Sequence, residues 1–401
     1  MSTGRLRAWA PWLPPAAALA ALWPILWTPP RHLGDYFTFW YAGHLLATGR
    51  SPYDPAAWAD AATLSTDPAA IVVNAIARQA VAGIPVWLYP PWTGYLFVPF
   101  GAMPLEIGAG AIHAAFLVLA IAGVAAVAAL APWRSPFVAG LTIAALFMSA
   151  PFVFAIRGGH FAGLMLVGLA LVAHGLRAPS RPAFVAGAVI LALKPHVVLA
   201  VAAVALVVLV RRRDRRTIGI TAVVLAAIVI AGISLQPASI GVLSGGAPAS
   251  LNALLEYASV WALAAGLVPA APALAGALLV AAVACACWRI ARSARVDLRL
   301  PVAAAAVAVA SIALPPYLGD YDHLIGLAPA AVVAALVVER GSPRRRISIA
   351  AVLLTVALGP WLVYVGSYSV GAWVTGLVPV GCVALLSIGV RGRREAAGAR
   401  A

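Results

Sequence analysis

Charge is what this chain has least of. Asp, Glu, Lys and Arg make up 10% of its 401 residues, where a water-soluble domain carries about 25%. With 64% hydrophobic residues and a mean hydropathy of +0.99, the polar surface is too small to cover a soluble globule. That class is excluded, and an all-α polytopic membrane protein remains. At ~20 apolar residues per crossing, the sequence has room for roughly 10–12 spans. No separate water-soluble domain stands out. Lysine is almost missing: of 27 basic residues, Lys194 alone is a lysine. Cysteine is scarce too. Cys285, Cys287 and Cys382 lie in apolar runs without metal-ligand spacing and read as packing residues. There is no P-loop, no GxSxG and no HExxH, which argues against an ATP-driven pump, a serine hydrolase and a zinc protease. Asp320-Tyr321-Asp322 offers two carboxylates to a divalent ion, but no second ligand cluster accompanies it. No metal or other cofactor is expected.

The charge that is present is arranged. Net charge is +15, and arginines cluster at Arg211-Arg212-Arg213 with Arg215-Arg216, at Arg289 to Arg299, at Arg344 to Arg346 and at Arg391 to Arg394. Each cluster abuts an apolar run. That is the pattern of cytoplasmic loops fixing topology, and it disfavours a nucleic-acid partner. One transmembrane domain is expected over residues 1–390, with a basic cytoplasmic tail at 391–401. The first span, from Ala8 to Trp27, follows Arg5 and Arg7 and reads as uncleaved. Residues 29–83 hold Asp35, Asp54, Asp60 and Asp67 among tryptophans and tyrosines. They read as an extracytoplasmic loop with short interfacial helices. In one of these, Asp54 to Leu64, Asp54 serves as N-cap and Pro55 as first residue. Further spans are expected at about 105–131, 136–155, 161–176, 182–210, 217–235, 258–288, 301–317, 322–339, 347–366 and 369–390. Lys194-Pro195 breaks the run 182–210, and Pro269 breaks 258–288. The run 182–210 either crosses once, or folds as a V with Arg181 and Arg211 on the same side. The run 92–104 is too short to decide as a span.

Five places carry chemistry. Asp35 sits in the aromatic stretch Gly34-Asp35-Tyr36-Phe37-Thr38-Phe39-Trp40-Tyr41, directly after the first span. Lys194, with Pro195 and His196, lies deep in an apolar run, where a bare ammonium costs about 3 kcal/mol or more. Such a desolvated cation suits a phosphate; paired with a buried acid, it serves folding instead. Arg157-Gly158-Gly159-His160 joins two spans, with glycines that allow close backbone approach and two side chains suited to phosphate or sugar hydroxyls. Tyr89-Pro90-Pro91-Trp92 opens another apolar element. Asp320-Tyr321-Asp322-His323 sets acids beside a histidine, making His323 a general-base candidate alongside Asp35.

In order and spacing these motifs resemble glycosyltransferase family 87, the polyprenyl-phosphate-mannose-dependent alpha-1,2-mannosyltransferase type of the GT-C class. The resemblance rests on the acid after the first span, Tyr41-Ala42 and Thr48-Gly49-Arg50-Ser51-Pro52-Tyr53-Asp54. It continues through Tyr89-Pro90-Pro91, Gly159-His160, Ala186-Gly187 with Leu193-Lys194-Pro195, and Tyr321-Asp322-His323. The chain departs from the family at Gly159-His160-Phe161-Ala162, where Gly-Gln followed by Asn is usual, and at Tyr321-Asp322-His323, often Trp-x-His-His. The resemblance implies a GT-C-like bundle in the cell membrane with its site on the extracytoplasmic face. The donor would be a polyprenyl-phosphate sugar, the acceptor a glycolipid or glycan, and transfer would invert the anomeric carbon. Asp35 or His323 would be the base. Lys194, Arg157, His160, His196 and Asp322 would serve the phosphate and sugar, and Tyr36 and Tyr89 would stack on sugar or lipid. A multi-pass transporter or lipid flippase, using Lys194 and the acids as an ion pathway, is the alternative.

Overall fold

The computed structural model describes residues 10–27, 34–61, 87, 89–244, 259–294, 298–315, 318–340 and 346–398. The Arg5/Arg7 end and the Asp67–Pro68 turn lie outside the described residues. Among the described residues there are helices and no strands. In chain order the helices are α1 Leu13–Trp27, α2 Gly34–Ala47, α3 Pro55–Ala59, α4 Pro91–Tyr95, α5 Val98–Gly101, α6 Leu105–Ala129 and α7 Pro136–Phe147. Then come α8 Ala150–Arg157, α9 Ala162–Arg177, α10 Arg181–Leu191, α11 Leu199–Arg211, α12 Arg215–Leu235 and α13 Ala238–Ser244. The last are α14 Val260–Leu267, α15 Pro272–Ser293, α16 Arg299–Ala313, α17 His323–Glu339, α18 Arg346–Val370 and α19 Leu377–Gly398.

Five of the described helical segments are long and apolar enough to cross a membrane, or six if α7 and α8, bent by 56°, count as one span. Against the 10–12 crossings expected from the sequence, the other apolar helices among the described residues are shorter. α9, α10 and α16 are among them. Proline and glycine divide the apolar runs into pieces below the ~20 residues a straight crossing needs. The breaks at Lys194-Pro195 and near Pro269 fall where the sequence sets them, between α10 and α11 and between α14 and α15. The run 92–104 forms only α4 and α5, with a turn between.

α17 is the axis of the bundle. Every residue from His323 to Val338 is buried, and α6, α9, α16, α18 and α19 pack around it. α9 lies against α6 at very short range. A Cβ placed on Gly163 would meet the Ala120 backbone at 2.4 Å. Small residues at such contacts let helix backbones approach, which drives association where lipid is as apolar as the side chains.

α10 and α11 form a V. Their 11 and 13 residues reach about 16 and 20 Å, each short of a ~30 Å hydrocarbon core. Both outer ends lie together, since Arg181 Nε is 3.9 Å from Asp214 Oδ1 and Arg212 donates to the Leu176 carbonyl. Irregular backbone at membrane depth persists only where protein satisfies it, and the tip of the V is so satisfied. Trp92 Nε1 donates to the Ala192 carbonyl at 3.1 Å, and Thr93 Oγ1 approaches the Leu193 carbonyl at 3.4 Å. The Val201 N–H is received by Ser311 Oγ at 3.0 Å. The Leu191 carbonyl accepts from the Lys194 N–H at 3.3 Å.

The aromatic stretch at 34–47 differs from its expected form. It is a helix, α2, with Tyr36, Phe37, Phe39, Trp40 and Tyr41 all buried, rather than a loop lying on the membrane. A helix that is apolar all round belongs inside. Phe39 stacks on Phe97 at 4.6 Å and meets Phe161 at 4.9 Å and Tyr89 at 5.2 Å, pairs worth about 0.5–1.5 kcal/mol each beyond area burial. α3 begins as expected, with Asp54 accepting from the Ala56 N–H at 2.9 Å and Pro55 in the first turn. The remainder of the expected 54–64 helix beyond Ala61, and of the loop to residue 83, lies outside the described residues. At the other end of the chain, the segment from Arg391 continues α19 as helix to Gly398.

The bundle has a basic end. Arg177 donates to the Leu130 carbonyl at 2.9 Å, and Arg340 to the Pro132 carbonyl at 2.6 Å. Glu339 accepts from the Arg134 and Ser135 N–H groups. With Arg181 and Arg211 to Arg216, these arginines gather where α6, α9, α11 and α17 end. The residues singled out for chemistry sit at the opposite ends of the same helices. The 16 residues of α9 put about 24 Å between the two.

Candidate functional site

Five segments far apart in sequence come together from the N-terminus of α2 inward. Asp35 lies in the first turn, where the helix dipole favours an anion. Its N–H donates to the Gly158 carbonyl at 2.9 Å, which docks the Arg157-Gly158-Gly159-His160 loop onto α2. Gly159 makes that docking feasible. Its φ is +75°, and a Cβ there would lie 2.9 Å from the Tyr36 nitrogen. The loop then sets His160 Nδ1 3.0 Å from Asp35 Oδ2. The Tyr89 hydroxyl approaches the same oxygen at 3.4 Å. Burial, with the Asp35 carboxylate beside it, pushes the Tyr89 phenol well above its ordinary range, so Tyr89 stays protonated and donates. The Asp35 side chain keeps 34% of its surface exposed.

From His160 the cluster continues inward. Its ring stacks on Tyr321 with centroids 3.2 Å apart and planes 18° from parallel. The Lys194 ammonium lies 4.6 Å from the centre of the Tyr321 ring, a cation–π contact. Both oxygens of Asp322 hold that ammonium, at 2.8 and 2.6 Å. Asp322 also accepts from the Gly319 N–H at 3.1 Å. A carboxylate, an imidazole, a phenol ring, an ammonium and a second carboxylate thus follow one another from the surface into the core.

The sequence reading set a phosphate-binding cation at Lys194 and a phosphate- or sugar-binding acid at Asp322. The structure closes the two on each other. Lys194 is 5% exposed and Asp322 is 0% exposed. A lone ammonium at that depth is too costly, so its charge is met by the acid that begins the central helix. His323 is also fully buried. Its Nδ1 lies 3.1 Å from the Tyr364 hydroxyl, which itself donates to the Asp320 carbonyl at 2.8 Å. The hydroxyl has one hydrogen, already given, so His323 Nδ1–H donates to it. The two base candidates therefore differ in access: Asp35 meets solvent and His323 does not.

Tyr36 is buried, its hydroxyl donating to the Ile156 carbonyl, so it fixes the loop rather than presenting a ring. Arg157 donates to the Ile25 carbonyl at 3.1 Å and remains partly accessible. His196 is exposed beside the tip of the V. Two participants escaped sequence reasoning. Tyr321 is the ring between His160 and Lys194, and Trp92 caps the broken helix. The signal for Trp92 was present, since Pro90-Pro91 places it at a helix start facing the break. Tyr321 stood in the sequence only as a member of the Tyr321-Asp322-His323 motif, and nothing there set its ring between His160 and Lys194. Among the described residues no three His, Cys, Asp or Glu side chains group to hold a metal ion. Comparison with family models, curated proteins and solved structures returns no match.

Proposed function

We propose that this protein transfers a sugar, mannose in the first instance, from a polyprenyl-phosphate carrier to a hydroxyl of a glycolipid or glycan. Asp35 is the base. The supporting observation is the convergence at the N-terminus of α2. Asp35, Tyr89, His160 and the Lys194–Tyr321–Asp322 group come from segments up to 287 residues apart (35 and 322), and they form one contiguous cluster in which Asp35, unlike Asp322, is accessible. In the step, the acceptor O–H proton passes to Asp35 and the acceptor oxygen bonds the anomeric carbon. The bond from that carbon to the phosphate oxygen breaks from the opposite face, and the lipid phosphate leaves with its electrons. That is inversion by single displacement, the geometry by which inverting glycosidases use a carboxylate base. A leaving phosphate needs positive charge and hydrogen-bond donors rather than a general acid. Arg157 supplies the charge and the His196 ring a hydrogen-bond donor, both from accessible positions, while Lys194 acts through the field of its pair with Asp322. The basic end about 24 Å away faces the cytoplasm under the positive-inside rule. The site then opens on the extracytoplasmic side, where polyprenyl-phosphate sugars and glycan acceptors meet.

The test is reconstitution into vesicles with radiolabelled polyprenyl-phosphate sugars and a panel of glycolipid acceptors. Label moving from carrier to acceptor, with inverted configuration by NMR of the product, is the expected result. No release of sugar from any carrier would overturn the reading and favour the transporter alternative. The V of half-helices around Lys194 gives that alternative its own support, and a flux assay on the same vesicles examines it.

A further inference from the structure

A cleft of about 340 Å³ opens at the basic end, between the turn joining α9 to α10 and the turn joining α11 to α12. It is far from Asp35 and takes no part in the chemistry above. Its floor is apolar, built from Phe184 and Leu209, and its walls carry Arg181, Arg212, Asp214 and Thr217. The one acid is already engaged. Asp214 Oδ1 accepts from the Thr217 N–H at 3.1 Å and Oδ2 from the Thr217 hydroxyl at 2.7 Å. The two guanidiniums are less occupied. Each has five donors, and among the described residues each makes one polar contact, Arg181 with Asp214 at 3.9 Å and Arg212 with the Leu176 carbonyl. Arg211, Arg213, Arg215 and Arg216 neighbour these residues in the chain and are exposed. Leu206, Val207 and Val210 of α11, beside the cleft, are exposed and apolar.

A site with a guanidinium rim and an apolar floor that continues onto a lipid-facing helix suits an amphiphile with an anionic head. We propose that this cleft binds a phosphate-bearing headgroup, its phosphate held between Arg181 and Arg212. Guanidinium forks match phosphate oxygens two at a time, and basic pockets between helices on the cytoplasmic side attract anionic lipid heads. The lipid source is favoured by the apolar floor, and free phosphate offers the same chemistry without the tail.

Native mass spectrometry of the delipidated full chain in detergent distinguishes the sources. Titration is with dioleoyl phosphatidylglycerol, with dioleoylglycerol as the phosphate-free control, and separately with inorganic phosphate. The expected result is saturable binding of the phospholipid, little binding of dioleoylglycerol, and affinity about tenfold lower or worse in the double variant Arg181→Gln/Arg212→Gln. Arg215→Gln/Arg216→Gln removes the same charge outside the cleft and retains the affinity. Inorganic phosphate competing at millimolar levels, lost in the cleft variant, supports the site with a free-anion source. Equal weakening by both double variants shows diffuse surface charge and overturns the proposal, as does absence of binding by either probe. Should the cleft variant elute aggregated in size exclusion, Arg181→Lys/Arg212→Lys is the substitute. It keeps the charge and loses the forked geometry, and undiminished phospholipid affinity in it overturns the proposal.

Discussion

Lys194→Met destabilises the protein by about 3–5 kcal/mol, the usual penalty for removing one partner of a buried ion pair. The lost ammonium leaves the Asp322 carboxylate, without exposed surface, with the Gly319 N–H as its remaining donor in this cluster. Asp322→Leu does the converse, stranding a cation against Tyr321, and falls in the same range. The double variant Lys194→Met/Asp322→Leu removes both charges and is expected to melt closer to wild type than either single variant, because desolvated pairs replaced by apolar groups of similar volume are often close to neutral. Thermal unfolding in detergent, followed by tryptophan fluorescence, gives the four melting temperatures that close the cycle. A Lys194→Met protein that melts with wild type would mean the pair contributes nothing to the fold. Activity separates structure from catalysis. If the pair only holds the V against α17, the double variant keeps most of its transfer rate. If its field stabilises the leaving phosphate, the double variant folds but is slow.

On the proposed transferase reading, Asp35→Asn is expected to lower sugar transfer by about a hundred- to ten-thousandfold, the contribution of a positioned general base, with little change in melting temperature. Asparagine keeps the shape and still accepts from Tyr89, but it takes up no proton. The side chain is part-exposed and its backbone bond to Gly158 is indifferent to the substitution, so the fold has no reason to follow the rate. His323→Gln is the comparison. Its ring is sealed beneath Tyr364, so its effect is expected in melting temperature first. A full transfer rate in Asp35→Asn would remove the base assignment while leaving the transferase reading open. Transfer abolished by His323→Gln in a protein that melts as wild type would shift the base to His323.

Much of this architecture was legible in the sequence because single residues force it. Pro195 and Pro269 stand at the breaks between α10 and α11 and between α14 and α15, although Pro24, Pro329 and Pro360 are carried inside α1, α17 and α18. Asp54-Pro55 starts a helix by local hydrogen bonding alone. The cluster Arg211 to Arg216 marked one end of the bundle, where its residues are mostly exposed, because arginine resists burial without a partner. What the sequence left open depended on partners. The aromatic run at 36–41 suits a membrane surface and a protein interior equally well. It is buried because Phe97, Phe116 and Phe161 come to meet it, and they lie 56 to 125 positions along the chain. Lys194 required a counter-charge or a phosphate, and twelve acids offered no way to choose before Asp322 was placed beside it. α17 was one apolar run among many, and its central place is a property of the other helices. Composition registers apolar residues and not the turns that divide them, so beside the five or six long apolar helices among the described residues stand shorter ones that the sequence reads as full spans.

The ion pair at the tip of the V has one more consequence. Because Lys194 is the only lysine in the sequence and is nearly sealed, amine-directed reagents find no other side chain to acylate. The rate at which a small acylating reagent reaches that nitrogen is then a clock for the local opening of the V against the central helix. It is an internal gauge of breathing motion that requires neither an introduced label nor a substrate.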